Sequence, residues 1–144
     1  MKAVIQVVRE ASVTVENKVI ARIGKGMLVF VCFDKFEDQG QVDTFAQRLC
    51  QIRVFDNREG KIDRSVIDLG AEILIVSQFT LAARLEGNTF SFFKALPYNE
   101  AKIVYDEFMK VLRGQYNKVQ EGIFGAEMQV ALVNDGPVTF LLEK

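Results

Sequence analysis

The chain has 144 residues, 49% of them hydrophobic and 26% charged, with a formal net charge of −1 and no histidine. That length and balance suit one soluble globular domain over residues 1–144. The absence of histidine excludes a Ser-His-Asp or Cys-His device and any histidine metal site. The near-neutral charge is not that of a protein gripping a long stretch of phosphate backbone, although an enzyme touching only the last nucleotide of an RNA need not be basic.

No apolar run approaches a membrane span, and Met1–Val8 reads as a first strand, too short and regular for a signal peptide. Residues 11–15 continue in the same style. Glu16-Asn17-Lys18 makes a tight turn into an alternating return arm, Val19–Ile23. Gly24-Lys25-Gly26 turns the chain into Met27–Phe33, a continuous apolar run that predicts a strand buried on both faces. Asp34–Gly40 reads as a polar loop. Val42, Phe45, Ala46 and Leu49 then stand at helical spacing and predict a helix over 41–49. Cys32 and Cys50 sit in apolar settings at no metal or redox spacing, so both are expected as reduced core residues and the protein as cytoplasmic.

Ile52–Phe55 predicts a strand closed by the turn 56–60. Ser65–Leu69 predicts one helical turn stopped by Gly70. A buried strand follows over Ile73–Phe79, and 82–96 is the least regular segment. Pro97 opens the next helix, with Asn99 as its cap, and an apolar stripe from Ala101 to Leu112 makes it amphipathic over 99–113, ended by Gly114. After a connection over 119–125 come two strands, Met128–Val133 and Val138–Leu142. Many strands with two main helices indicate a mixed α/β domain.

Two stretches stand out as candidate sites. Ile73–Val76 runs straight into Ser77-Gln78-Phe79-Thr80, a buried strand ending at a polar edge, where a sheet can fix what the edge presents. Asn134-Asp135-Gly136-Pro137 separates the last two strands. Taken alone it is a connecting turn, and a cis Gly-Pro bond is feasible there because the X-Pro cis form costs only roughly 0.5–1 kcal/mol. Thr80 lacks an adjacent base, since the nearest acids in sequence, Glu72 and Glu86, read as loop residues.

The Ser77–Leu81 block (Ser-Gln-Phe-Thr-Leu) and the Asn134–Thr139 block (Asn-Asp-Gly-Pro-Val-Thr) resemble the hallmarks of the D-aminoacyl-tRNA deacylases. Ala3–Gln6, Ala11–Val15 and Gly122–Met128 are similar too, so the likeness runs in order through essentially the whole chain. It implies a three-layer β/β/α fold with mixed sheets, and hydrolysis of the ester joining a D-amino acid, and glycine, to the 3′-terminal ribose of tRNA. The expected catalytic edge is Ser77, Gln78, Phe79 and Thr80, with backbone N–H groups stabilising the oxyanion and a substrate ribose hydroxyl activating water.

The resemblance also implies a homodimer. In it a cis Gly136-Pro137 turn, with Asn134, reaches the partner's site and rejects L-residues by collision with backbone. Phe124, Met128 and Ala101 match positions around the terminal adenine. No metal or organic cofactor, no membrane and no DNA is implied. The chain differs from the family in two places: Val7 stands where an Arg usually braces the turn, and Leu85–Phe92 replaces a basic segment. Phe79 is retained where a relative that edits L-alanine has Ala, which favours the D-specific branch. Two other readings of the fold are a non-catalytic nucleic-acid-binding protein and an esterase with relaxed chirality.

Overall fold

The computed structural model of the protein describes residues 1–34 and 39–143. β1 (Lys2–Val15) runs through both of the first two expected strands as one element. Glu16 and Asn17 turn the chain with φ of 49° and 62°, which returns it as β2 (Lys18–Ile23) on the second half of β1. β3 (Gly26–Cys32) is buried along nearly its whole length, as its unbroken apolar run requires, and pairs antiparallel with the first half of β1. Of the expected loop 34–40, Gln39 and Gly40 already belong to α1 (Gln39–Gln51), which is longer at both ends than the spacing indicated. Asp34 bridges to Ala95, and residues 35–38 lie outside the described residues.

The expected strand 52–55 survives only at its end, as β4 (Phe55–Asp56) in a small hairpin with β5 (Ile62–Arg64). α2 (Val66–Leu69) forms where expected. Ser65 caps it reciprocally, accepting from the Asp68 N–H at 3.2 Å while the Ser65 N–H donates to the Asp68 carboxylate at 2.8 Å. The Ser65 N–H and, at 2.9 Å, the Ser65 hydroxyl both donate to that carboxylate, and these bonds to the charged form lower the Asp68 pKa. Gly70 stops the helix in the left-handed region. β6 (Glu72–Ser77) ends two residues earlier than expected, because Phe79–Ala82 coils into a single 3-10 turn.

The irregular segment contains a ribbon of β7 (Arg84–Glu86) and β8 (Thr89–Ser91). α3 (Tyr98–Gln115) corrects two expectations. Pro97, with no side-chain bond, takes the cap position, leaving Asn99 inside the first turn, and the helix passes through Gly114. The expected connection 119–125 begins with a short strand, β9 (Val119–Glu121). The last two expected strands are one element, β10 (Gln129–Glu143), along β1.

Among the described residues, six strands form one mixed sheet in the order β10-β1-β3-β6-β9, with β2 also on β1. Its parallel pairs are β3–β6 and β6–β9. Strand alternation sends side chains to two interiors. Met27, Val29, Val31, Ile73 and Ile75 pack with α1 and α3, where Phe108 lies 5.6 Å from Phe33 and 6.2 Å from Phe45. Leu28, Leu74 and Val76 point the other way and pack with Ala11 and Val13 of β1 and Ala21 and Ile23 of β2. One sheet region is thus covered by helices and the other by the folded-over strands, giving the β/β/α layering.

The closest approach in this frame is at Gly26, where a Cβ would stand 2.0 Å from the Glu72 carbonyl oxygen. Neither backbone can retreat without breaking the β3–β6 ladder. Gly26→Ala should therefore cost about 1–3 kcal/mol and lower the thermal midpoint by roughly 3–10 °C in calorimetry. Gly114→Ala, where a Cβ meets nothing, should leave the midpoint unchanged or slightly raised.

Candidate active site

β6 is held between β3 and β9 as far as Ile75 and by β3 alone from there to Ser77, which pairs with Val31. One last bond holds the chain at the sheet edge, from the Gln78 N–H to the Val31 carbonyl at 2.7 Å. Beyond it the 3-10 turn starts with the Leu81 N–H on the Gln78 carbonyl. The N–H groups of Phe79 and Thr80 precede that first bond of the turn, so neither is used within it. The Cys32 thiol donates to the Phe79 carbonyl at 3.5 Å and steadies the turn from below. Burial, and after it the nearby Asp34, pushes the Cys32 pKa up to about 11. It is a protonated thiol at neutral pH and no nucleophile.

This edge forms one wall of a cavity of about 490 Å³, within the range of small-molecule sites. The opposite wall is built by the start of α3 and the segment between β9 and β10. Phe124 lies 5.3 Å from Tyr98 and 5.1 Å from Tyr105. Gly125 turns with φ of 75°, and a Cβ there would fall 2.5 Å from the Tyr98 ring. The Tyr105 hydroxyl is buried behind Phe124 without a hydrogen-bond partner, and burial raises its pKa, with the Glu121 charge adding to it. The walls are therefore flat and apolar, with polar groups concentrated at Ser77 and Gln78.

Six of the expected residues converge on this cavity: Ser77, Gln78, Phe79, Ala101, Phe124 and Met128. Thr80 lies exposed beyond its rim. Glu72 and Glu86 are strand residues rather than loop residues, and the Glu72 carboxylate is occupied by the Gly24 N–H at 2.7 Å. Tyr98 and Cys32 also line the cavity, and the sequence reading missed both. Tyr98 sits at the helix start flagged by Pro97, while nothing local ties Cys32 to Phe79. Among the described residues no group of three or more His, Cys, Asp or Glu side chains could hold a metal.

Asn134, Gly136 and Pro137 lie away from this cavity, on β10. Gln6 pairs with Thr139 but Val8 pairs with Asn134, so Asp135–Val138 is looped out opposite Val7 alone. The Gly136–Pro137 bond is cis, and Gly136 has φ of 126°. Cross-strand contacts hold both ends of the loop. The Gln6 amide oxygen meets the Thr139 hydroxyl, and the Arg9 Nε donates to the Asp135 carboxylate at 3.2 Å. Val7 itself is buried in the helix-side core. The cation beside the turn is thus supplied two residues further along β1.

An ion pair as exposed as Arg9–Asp135 contributes about 0–1 kcal/mol. Arg9→Ala should accordingly shift the thermal midpoint by less than about 4 °C. It should also speed amide exchange at Asp135 and Gly136, measured by NMR, while exchange along the flanking β1–β10 ladder stays unchanged.

Known proteins share this architecture and its sequence. The family described as D-Tyr-tRNA(Tyr) deacylase matches residues 4–143. A D-aminoacyl-tRNA deacylase of Francisella tularensis is 45% identical over 141 residues, covering 97% of each chain. One from Stutzerimonas stutzeri is 46% identical over 144 residues, covering 99% of each. A solved structure named c-Myc DNA Unwinding Element Binding Protein superposes with a TM-score of 0.95 at 41% identity, covering 100% of this chain and 99% of that one. A structure described as a probable eukaryotic D-amino acid tRNA deacylase shares the fold, with a TM-score of 0.85 at 19% identity over 98% of this chain and 97% of its own. With the sequence match spanning nearly the full length of the fold and both hallmark blocks, the chain belongs to the D-aminoacyl-tRNA deacylase family.

Proposed function

We propose that the cavity beside Ser77–Thr80 receives the 3′-terminal aminoacyl-adenosine of a D-aminoacyl-tRNA, the substrate class of the family, and hydrolyses its ester with a positioned water. The convergence of Ser77, Gln78, Phe79, Ala101, Phe124 and Met128 on one aromatic-walled cavity carries this reading. An aromatic ring, a pliable thioether and a small side chain suit a stacked adenine, which leaves the ester at the polar strand end.

The reaction needs a stabilised oxyanion more than a nucleophilic side chain. Water adds to the ester carbonyl and the carbonyl oxygen becomes negative. The bond to the ribose oxygen then breaks, that oxygen takes up the proton, and the free D-amino acid leaves. The expected backbone donors narrow to Phe79 and Thr80, because the Gln78 N–H is already bonded to Val31. With Cys32 protonated and no histidine in the chain, the neighbouring ribose hydroxyl of the substrate is the group that activates the water. Thr80 hydrogen-bonds to no base among the described residues, so it is assigned no nucleophilic role.

Chirality comes from a second copy of the chain. Gly136 and Pro137 are exposed on a loop whose two ends are tied to β1. In a C2 homodimer this loop, with Asn134, completes the partner's cavity, and each copy does the same for the other. A D-residue directs its amine at the loop backbone, while an L-residue directs its side chain there and collides. Glycine, lacking a side chain, passes. A cytoplasmic location accords with a tRNA substrate and two reduced cysteines. The likeness to the c-Myc DNA Unwinding Element Binding Protein favours a second reading, in which the chain binds DNA without catalysis.

Incubation of purified protein with D-Tyr-tRNA, L-Tyr-tRNA and Gly-tRNA separates these readings. Loss of the D and glycyl esters with the L ester intact is expected. Loss of D and L esters alike would remove the chiral filter, and duplex DNA binding with no ester lost would leave the second reading. In the same assay Gly136→Ala should lower D-over-L discrimination at least tenfold. Its Cβ would lie 2.7 Å from the Val138 side chain, at a φ that L-residues rarely adopt.

A further inference from the structure

The ribbon of β7 and β8 stands apart from the main sheet. With three residues a side it is too small to hold an interior of its own, yet large apolar side chains point outward from it. Leu85 and Phe90 face each other across the two strands, 66% and 63% exposed. Just past the end of β8, the Phe92 ring lies 5.2 Å from the Phe79 ring. Phe79 is itself 60% exposed and lines the cavity. The row Leu85, Phe90, Phe92, Phe79 therefore leads from the ribbon to the cavity mouth. On the other face of the ribbon the Arg84 guanidinium lies 5.8 Å from the centre of the Phe93 ring. An apolar row of this kind in water marks a contact surface.

Its occupant follows from where the row ends, and this step rests on the adenosine-binding reading of the cavity. With the terminal adenosine seated there, the nucleotides before it are single-stranded and must leave across the rim, where Phe79 stands. Successive bases stack on aromatic side chains with little regard for sequence, which suits an enzyme meeting tRNAs of different sequence. Arg84, on the ribbon's other face, gives the same small element a positive charge for the phosphates, in a chain whose overall charge of −1 supplies no general attraction. We propose that Leu85, Phe90 and Phe92 form a stacking platform for the single-stranded nucleotides immediately 5′ of the terminal adenosine.

The test compares two substrates of the same enzyme, D-Tyr-tRNA and 3′-O-(D-tyrosyl)adenosine, which lacks the preceding nucleotides. Phe90→Ala should raise KM for the tRNA about 5- to 150-fold, the range expected for one lost base stack. It should leave hydrolysis of the adenosine ester unchanged, and Phe90→Trp should restore the tRNA KM. Equal effects on both substrates, or none on either, would overturn the platform. So would conversion of a wild-type dimer to a monomer by Phe90→Ala in sedimentation, which would make the ribbon a contact between copies. Failure of the wild-type protein to hydrolyse either ester is a separate result, overturning the deacylase reading and this extension with it.

Discussion

The whole arrangement depends on β1 being shared. One edge of its 14-residue length pairs with β10, interrupted at Val7 and Arg9, and the other pairs first with β3 and then with β2. A strand that changes partners midway obliges the sheet to fold over, since β3 and β2 cannot occupy one edge position together. The fold-over creates the inner apolar layer and leaves the opposite side of β3 and β6 to the helices. It also sets where β6 stops, because Val31 of β3 supplies the last carbonyl to the Gln78 N–H. The proposed reacting edge is thus placed by a partner exchange made on another strand.

Signals carried by a few adjacent residues were legible in the sequence. The Ser65–Gly70 turn announced its cap and stop, and Glu16-Asn17-Lys18 its hairpin. The unbroken apolar run of Met27–Phe33 announced a strand buried on both faces. What failed depended on distant partners. β9 is three residues long and exists through its parallel pairing with β6. Ile52–Val54 carries strand-like residues, but only the Val54 N–H finds a strand partner, the Arg64 carbonyl at 3.1 Å, so pairing is confined to Phe55 and Asp56. Gly114 looked like a helix stop, yet the last turn of α3 accommodates it and ends instead at Tyr116, whose hydroxyl is held by the Ala71 carbonyl at 2.6 Å.

The candidate site divided in the same way. Family blocks marked Ser77–Thr80 and Asn134–Thr139, and the fold brings the first of them to the residues expected around an adenine. Tyr98 and Cys32 joined that cavity without a sequence signal of their own, because their part in it comes from contacts with Phe124 and Phe79. The replacement of an expected arginine by Val7 also looked different once folded. Val7 belongs to the interior, and Arg9 is the residue beside the turn. Substitution patterns read one position at a time miss this kind of displacement along a strand.

The looped-out turn has one more property, set by where it interrupts the ladder. On one side of it, Ala3 and Ile5 of β1 and Phe140 and Leu142 of β10 pack toward the helices. On the other side, Ala11 and Val13 with Leu132 and Val130 pack into the inner layer. The irregular pairing between Gln6 and Glu10 is therefore a seam at which both strands hand their apolar residues from one interior to the other. A slip of one residue in either strand would turn an entire arm inside out. The exposed Gly136–Pro137 turn springs from that seam, so the point at which it leaves the sheet is set by the division of the protein's interior.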